Sequence, residues 1–214
     1  MKLHSLPWIA GTAHEAGPAL DLQSLLGDEG WRRLPGAVQR RFARSHREVV
    51  YAGELAMHCS PIGRLFAWAS ALLGGPLSAA RGDASARVRV YGDGRGGVVW
   101  ERHLALAGHE KVVRSTKLAD ARGRLVERTD GGLSMALEVF EEDGALVFQS
   151  RRYFFALAGR RLSIPLVLTP GTCRVEHHDL GAGRFRFVLS MVHPWWGITF
   201  RQSGVFHDPE EIRA

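Results

Sequence analysis

A chain of 214 residues with 45% hydrophobic and 23% charged side chains has the make-up of an ordinary globular protein. It is long enough to bury a core without disulfide or metal staples, and its two cysteines, Cys59 and Cys173, supply no disulfide framework. The formal net charge is +6, and the excess lies in residues 31–47, which hold Arg32, Arg33, Arg40, Arg41, Arg44 and Arg47 and no acidic residue.

Residues 1–20 carry glycine and proline without a sustained period and read as an extended lead-in. His4, Ser5 and Pro7 interrupt any apolar stretch there that a secretory signal would need, so a reducing cytoplasm is the expected location. From Asp21, leucines and aromatics recur at spacings of three and four, broken by Gly27, Gly30 and Pro35-Gly36, which predicts short helices, the last over 35–45. The arginines of this stretch predict weak, salt-sensitive adsorption to anionic surfaces. No zinc-finger spacing, RNP-type strand or bZIP region accompanies them, so no specific nucleic acid is expected. Residues 48–58 switch to period two and read as a strand. Ser60-Pro61 then announces a helix that ends at Gly74-Gly75. Apolar residues cover nearly its whole circumference, which predicts burial, and the run 62–73 is far short of the roughly 20 residues that span a membrane.

From Ala84 onward the chain reads as strands at 85–91, 98–107, 111–118, 124–130, 133–141, 145–157, 172–179, 184–192 and 198–207, joined by short glycine-rich turns. Two prolines in GRRLSIPLVLTP predict a crossing loop or helical turn between Gly159 and Pro170. The expected fold is α+β and mainly β: a single domain over 1–214, with helices and one strand in 21–75 and an antiparallel sheet in 84–207. A meander of about nine to ten strands twists and curls, giving a half-barrel or open barrel wrapped over the buried helix 61–73.

Motifs for chemistry are sparse. Gly92, Gly94 and Gly97 match G-x-G-x-x-G, but a strand follows rather than a helix, so the segment reads as a hairpin turn and no dinucleotide cofactor is expected. His177 and His178 are adjacent on a strand and point to opposite faces, and no metal-ligand spacing occurs. Cys59, between His58 and Ser60 at a helix start, is the only thiol whose setting could activate it, and a small buried cysteine is the favoured reading; no P-loop, H-E-x-x-H or G-x-S-x-G is present. Polar residues in apolar registers carry more information: period two places Arg102 with Trp100 and Leu104, Glu127 with Leu125, and Arg152 with Phe148 and Phe154. A charge on an inner face must be paired or face a cavity, so Arg102, Glu127 and Arg152 form an expected polar island, either a structural ion pair or an anchor for a ligand's head group.

The segments LLGD, ELAMHCSPIGRLFAWASALLGGP, WERHL, RLVER, SIPLVLTP and FRFVLSMVHPWWG resemble an uncharacterised bacterial domain family often found C-terminal to saccharopine-dehydrogenase-like oxidoreductases. The similarity runs from Leu25 to Phe206. It places the family's W-x-R pattern on Trp100 and Arg102, its strand glutamate on Glu127, its F-x-F strand on Phe185 and Phe187, and its closing proline and glycine on Pro194 and Gly197. Near the end, FRQSG stands where an aromatic-x-Gly is expected. The resemblance implies an oxidoreductase partner by analogy, with this chain as a stand-alone domain, and it implies no chemistry. The expected function is a non-catalytic binding module for an apolar small molecule or lipid, or a partner protein, with Trp100, Arg102, Glu127, Arg152, Phe154, Phe185 and Phe187 at the ligand. The alternatives are an enzyme on a hydrophobic carbonyl or ester, and a peripheral membrane protein using the arginine-rich segment.

Overall fold

A computed structural model describes residues 19–43, 48–71, 79–106, 109–157 and 160–209; most of the lead-in, and the positions of Arg44 and Arg47, lie outside them. Three short helices, α1 (Leu22–Leu26), α2 (Asp28–Arg33) and α3 (Gly36–Phe42), precede strand β1 (Val49–Cys59) and helix α4 (Pro61–Ala71). Ten strands follow: β2 (Gly82–Gly92), β3 (Val98–Leu106), β4 (His109–Ala119), β5 (Leu125–Thr129), β6 (Leu133–Glu142), β7 (Ala145–Leu157), β8 (Arg160–Ile164), β9 (Thr172–Gly181), β10 (Arg184–His193) and β11 (Gly197–His207). A 3-10 turn at Leu166–Leu168 links β8 to β9, so the proline-bearing interruption holds a short strand as well as the expected helical turn.

Every strand pair is antiparallel, and neighbours in sequence are neighbours in space except where β7 passes over β8 to pair with β9. The half-barrel or open barrel expected from the sequence is instead a closed ten-stranded barrel. Two pairings close it. Strand β1 meets β11, and β7 shares one edge with β6 while its other edge takes β9 at residues 146–149 and β8 at 153–157. Closure pairs the edges that an open sheet of this length would present, and among the described residues only the short β8, paired with β7 alone, keeps an outer edge. At the β1–β11 seam the backbones approach too closely for side chains: a Cβ on Gly204 would lie 2.2 Å from the Glu54 carbonyl oxygen. The GDGRGG segment is the expected hairpin turn, in which the Asp93 carboxylate accepts from the Arg95 and Gly97 amides at 2.7 and 2.8 Å.

Helices α1–α3 cover one end of the barrel. Val38 is fully buried, and the Phe42 ring enters the barrel mouth, 4.9 Å from His177 and 5.9 Å from both Trp100 and Phe148. Arg41, expected on an anionic-binding surface, is buried here: its guanidinium donates to Asp208 at 2.6 and 2.8 Å and lies 4.0 Å above Phe185. Arg33 is also engaged, with Glu29 and Glu141.

Helix α4 lies at the opposite end. Ser60 caps it as expected, accepting from the Gly63 amide at 3.0 Å, but the helix does not fill the barrel. Gly63, Ala67 and Ser70 are buried while Leu65 and Trp68 are exposed. The interior is already occupied by strand side chains such as Leu146, Phe148 and Phe206, which leaves no room for a helix, so α4 packs on the hairpin between β10 and β11 through Phe66 and Trp196.

Candidate functional site

The inward registers of β3, β4 and β5 bring three charges into an apolar interior. Lys117 Nζ lies 3.1 Å from Glu127 Oε2, and Arg102 Nη2 lies 3.9 Å from Glu127 Oε1. Arg102 also donates to Ser115 Oγ at 3.3 Å, and the Lys117 ammonium is 5.0 Å from the Trp100 ring centre. The expected meeting of Arg102 and Glu127 is therefore present, but the nearer partner, Lys117, was missed. Its signal was legible: on β4 it shares the parity of Val113 and Ser115, and it stands directly opposite Glu127.

Burial opposes ionisation at both members of the closer pair. For Lys117 burial prevails and leaves the ammonium below its ordinary range. For Glu127 the two cations, with hydrogen bonds from Ser115 and Lys117, outweigh burial and hold the carboxyl below its usual range. Burial, followed by the charges of Arg41, Lys117 and Arg102, keeps the His177 ring neutral, well below its ordinary range, and its buried Nδ1 has no hydrogen-bond partner. Arg102 and His177 line an internal cavity walled by Trp100, Phe185, Phe187 and Phe206. Its volume is about 30 Å³, room for a water or two.

Arg152 and Phe154 are not part of this interior. Ser150 pairs with Leu137 and Arg152 with Ala136, so Arg151 is an extra residue in β7. A bulge of this kind shifts the parity of everything after it. Tyr153 therefore turns inward, its hydroxyl donating to the Gly171 carbonyl at 2.8 Å, while Arg152 and Phe154 face outward into a groove of about 620 Å³. The groove has an apolar floor that includes Leu25, Val126, Ala136 and Phe154. Its rim holds Arg124, Arg151, Arg152 and Arg161 against Asp120 and Glu138, four guanidiniums against two carboxylates and so a surplus of two positive charges. Asp120 receives Arg124 at 2.8 Å and Arg161 at 3.2 Å. These contacts, with amide donors from Arg122 and Arg124, overcome its burial and hold its carboxyl well below the ordinary range. Arg151 pairs with Glu138, and Arg161 lies 5.0 Å over the Phe154 ring. Arg152 has no acidic partner among the described residues.

The thiols are quiescent: burial pushes Cys173 up to about 12 and raises Cys59, so neither is a thiolate near neutral pH. His178, opposite in facing to His177 as expected, is taken up by Glu176 at 2.9 Å. Among the described residues no group of three or more His, Cys, Asp or Glu is arranged to hold a metal ion.

Barrel, helical plug, inner ionic cluster and outer basic groove together define a closed antiparallel β-barrel domain with two chemically distinct recesses. The family model that matches residues 34–206 takes in the plug helix α3 and the barrel through β11, and the chain belongs to that family, described as a domain of unknown function (DUF4166). No curated protein matches the chain.

Proposed function

We propose that the protein is a non-catalytic binding module that takes an amphipathic anion, such as a long-chain carboxylate, in the outer groove. The observation that carries this reading is the groove itself: about 620 Å³ of apolar floor beneath a rim with a positive surplus and an unmatched Arg152. Small-molecule sites run at roughly 300–1,000 Å³ and combine apolar walls with a few polar groups. The inner cavity, at about 30 Å³, is too small for such a ligand, so Arg102, Lys117 and Glu127 serve to bind β3, β4 and β5 to one another. In the groove Phe154 and Val126 meet the ligand's chain, and Arg152 meets its carboxylate.

Titration of the whole protein with a fluorescent long-chain carboxylate tests this. Arg152→Ala is expected to weaken binding by roughly tenfold or more, the ordinary worth of a charged hydrogen bond, without changing the melting temperature, because Arg152 is exposed. A neutral alcohol of the same chain length should bind more weakly and ignore the substitution. Equal carboxylate binding by wild type and Arg152→Ala, or no binding by either, overturns the reading.

A further inference from the structure

We propose that the end of the barrel formed by α4, the 3-10 turn and the β10–β11 hairpin docks onto an anionic lipid bilayer. This surface is separate from the groove and from the arginine-rich helices, which lie at the other end.

His193 joins the three elements into one surface. It is 1% exposed, its ring stacks on Trp196 at 4.2 Å and on Phe66 at 5.8 Å, its Nε2 is 3.3 Å from the Val167 carbonyl, and its Nδ1 accepts from the Trp195 amide at 3.1 Å. Outside this buried hub the side chains are apolar and open to water: Trp195 is 70% exposed, Leu168 68%, Trp68 66% and Leu65 58%. Single exposed hydrophobics are ordinary, but a contiguous set drawn from three elements marks a contact surface.

Two features select a bilayer as the occupant. The aromatic residues are tryptophans at the tips of a hairpin and a helix, and an indole, apolar in body with one N–H donor, partitions to the membrane–water interface. Charge is the second. Residues 55–82 and 188–207 contain Arg64, Arg81 and Arg201 but no aspartate or glutamate. Arg64 and Arg201 are exposed with no acidic partner among the described residues. Three carboxylates also belong to this end: Asp83, on β2 opposite Ala56, and Glu110 and Asp130, on the β3–β4 and β5–β6 hairpins further round the barrel. An apolar tip flanked by the exposed guanidiniums of Arg64 and Arg201 matches a surface of anionic headgroups over acyl chains, where apolar insertion and electrostatic attraction add.

Co-sedimentation of the full chain with vesicles of phosphatidylcholine, with and without phosphatidylglycerol, tests the proposal. Wild type should bind the phosphatidylglycerol vesicles with a blue shift of tryptophan emission, and added salt should weaken binding. The Trp68→Glu, Trp195→Glu double substitution should lower partitioning by roughly tenfold or more while leaving the melting temperature in place, since both side chains are exposed. The proposal is overturned if wild type binds neither vesicle, or if the double substitution leaves binding intact. It is also overturned if binding is lost only on charge reversal of Arg32, Arg33 and Arg40 at the other end. Should wild type ignore vesicles and sediment as a dimer that Trp68→Glu, Trp195→Glu dissolves, the face is an interface between copies and the proposal fails.

Discussion

Glu127 is held by two cations, and which of them is nearer decides what substitutions do. Lys117 stands at 3.1 Å and Arg102 at 3.9 Å, so Arg102→Met leaves a closely paired Lys117–Glu127 and should be the mildest single substitution in the cluster. Glu127→Gln strands both cations in the interior and should cost about 3–5 kcal/mol. The double change Arg102→Met, Glu127→Leu still strands Lys117, and only the triple change that adds Lys117→Met should return stability close to wild type. Urea unfolding of the four variants checks this order; a double variant as stable as the triple would show that Lys117 needs no counter-ion. Period two in the sequence was enough to bring Arg102 and Glu127 to one face. It failed at Arg152 and Phe154 because the extra residue Arg151 reverses the faces beyond it, and nothing local in QSRRYFF reveals a bulge.

Strand β11 has the same kind of hidden constraint. Gly204 is legible as an interruption in a strand, but its reason lies on β1, whose Glu54 carbonyl occupies the space of a side chain. Gly204→Ala should force the closing seam apart and cost about 1–3 kcal/mol, whereas Val205→Thr, next to it and partly exposed, should change stability by about 0.5 kcal/mol or less. Thermal unfolding of both variants measures the contrast, and an unaffected Gly204→Ala would mean that the seam tolerates a wider spacing. Helix α4 teaches a complementary point. Its apolar circumference implies that water is excluded around it, but composition cannot say whether the barrel has space to receive it, and the interior side chains of the strands had already taken that space.

Across the whole molecule, two histidines give stability opposite dependences on pH. His103 lies 3.0 Å from Glu101 and 3.1 Å from Glu110, and the hydrogen bond to Glu101, ahead of the other contacts, raises its pKa above 6.5. Its contribution is complete below about 6.5 and is lost as pH rises through the folded value. Glu101, lowered to about 2 by His103 and Arg114, contributes above its ordinary 4.5 and loses that only as pH falls through about 2. His177 works the other way. Its folded pKa lies well below 6.5, so the unfolded chain takes up a proton first and stability drains as pH falls below 6.5. His103→Gln should therefore lose more relative to wild type at about pH 5.5 than at about pH 8.5, and His177→Phe should gain on wild type over the same drop. Melting temperatures at both values test this, and parallel curves for all three proteins would contradict it.

The β-strands, their antiparallel succession, the hairpin at GDGRGG and the inward placing of Arg102 and Glu127 all follow from alternation and short connectors, which are properties of neighbouring residues. Closure of the barrel, the exclusion of α4 from it and the plug at Phe42 follow from contacts between β1 and β11, between β7 and β9, and between α3 and the barrel interior. Those contacts join residues far apart in the chain. A period-two pattern states which faces a strand has; it does not state which other strand will meet its edge, or how much room remains inside when the edges have met.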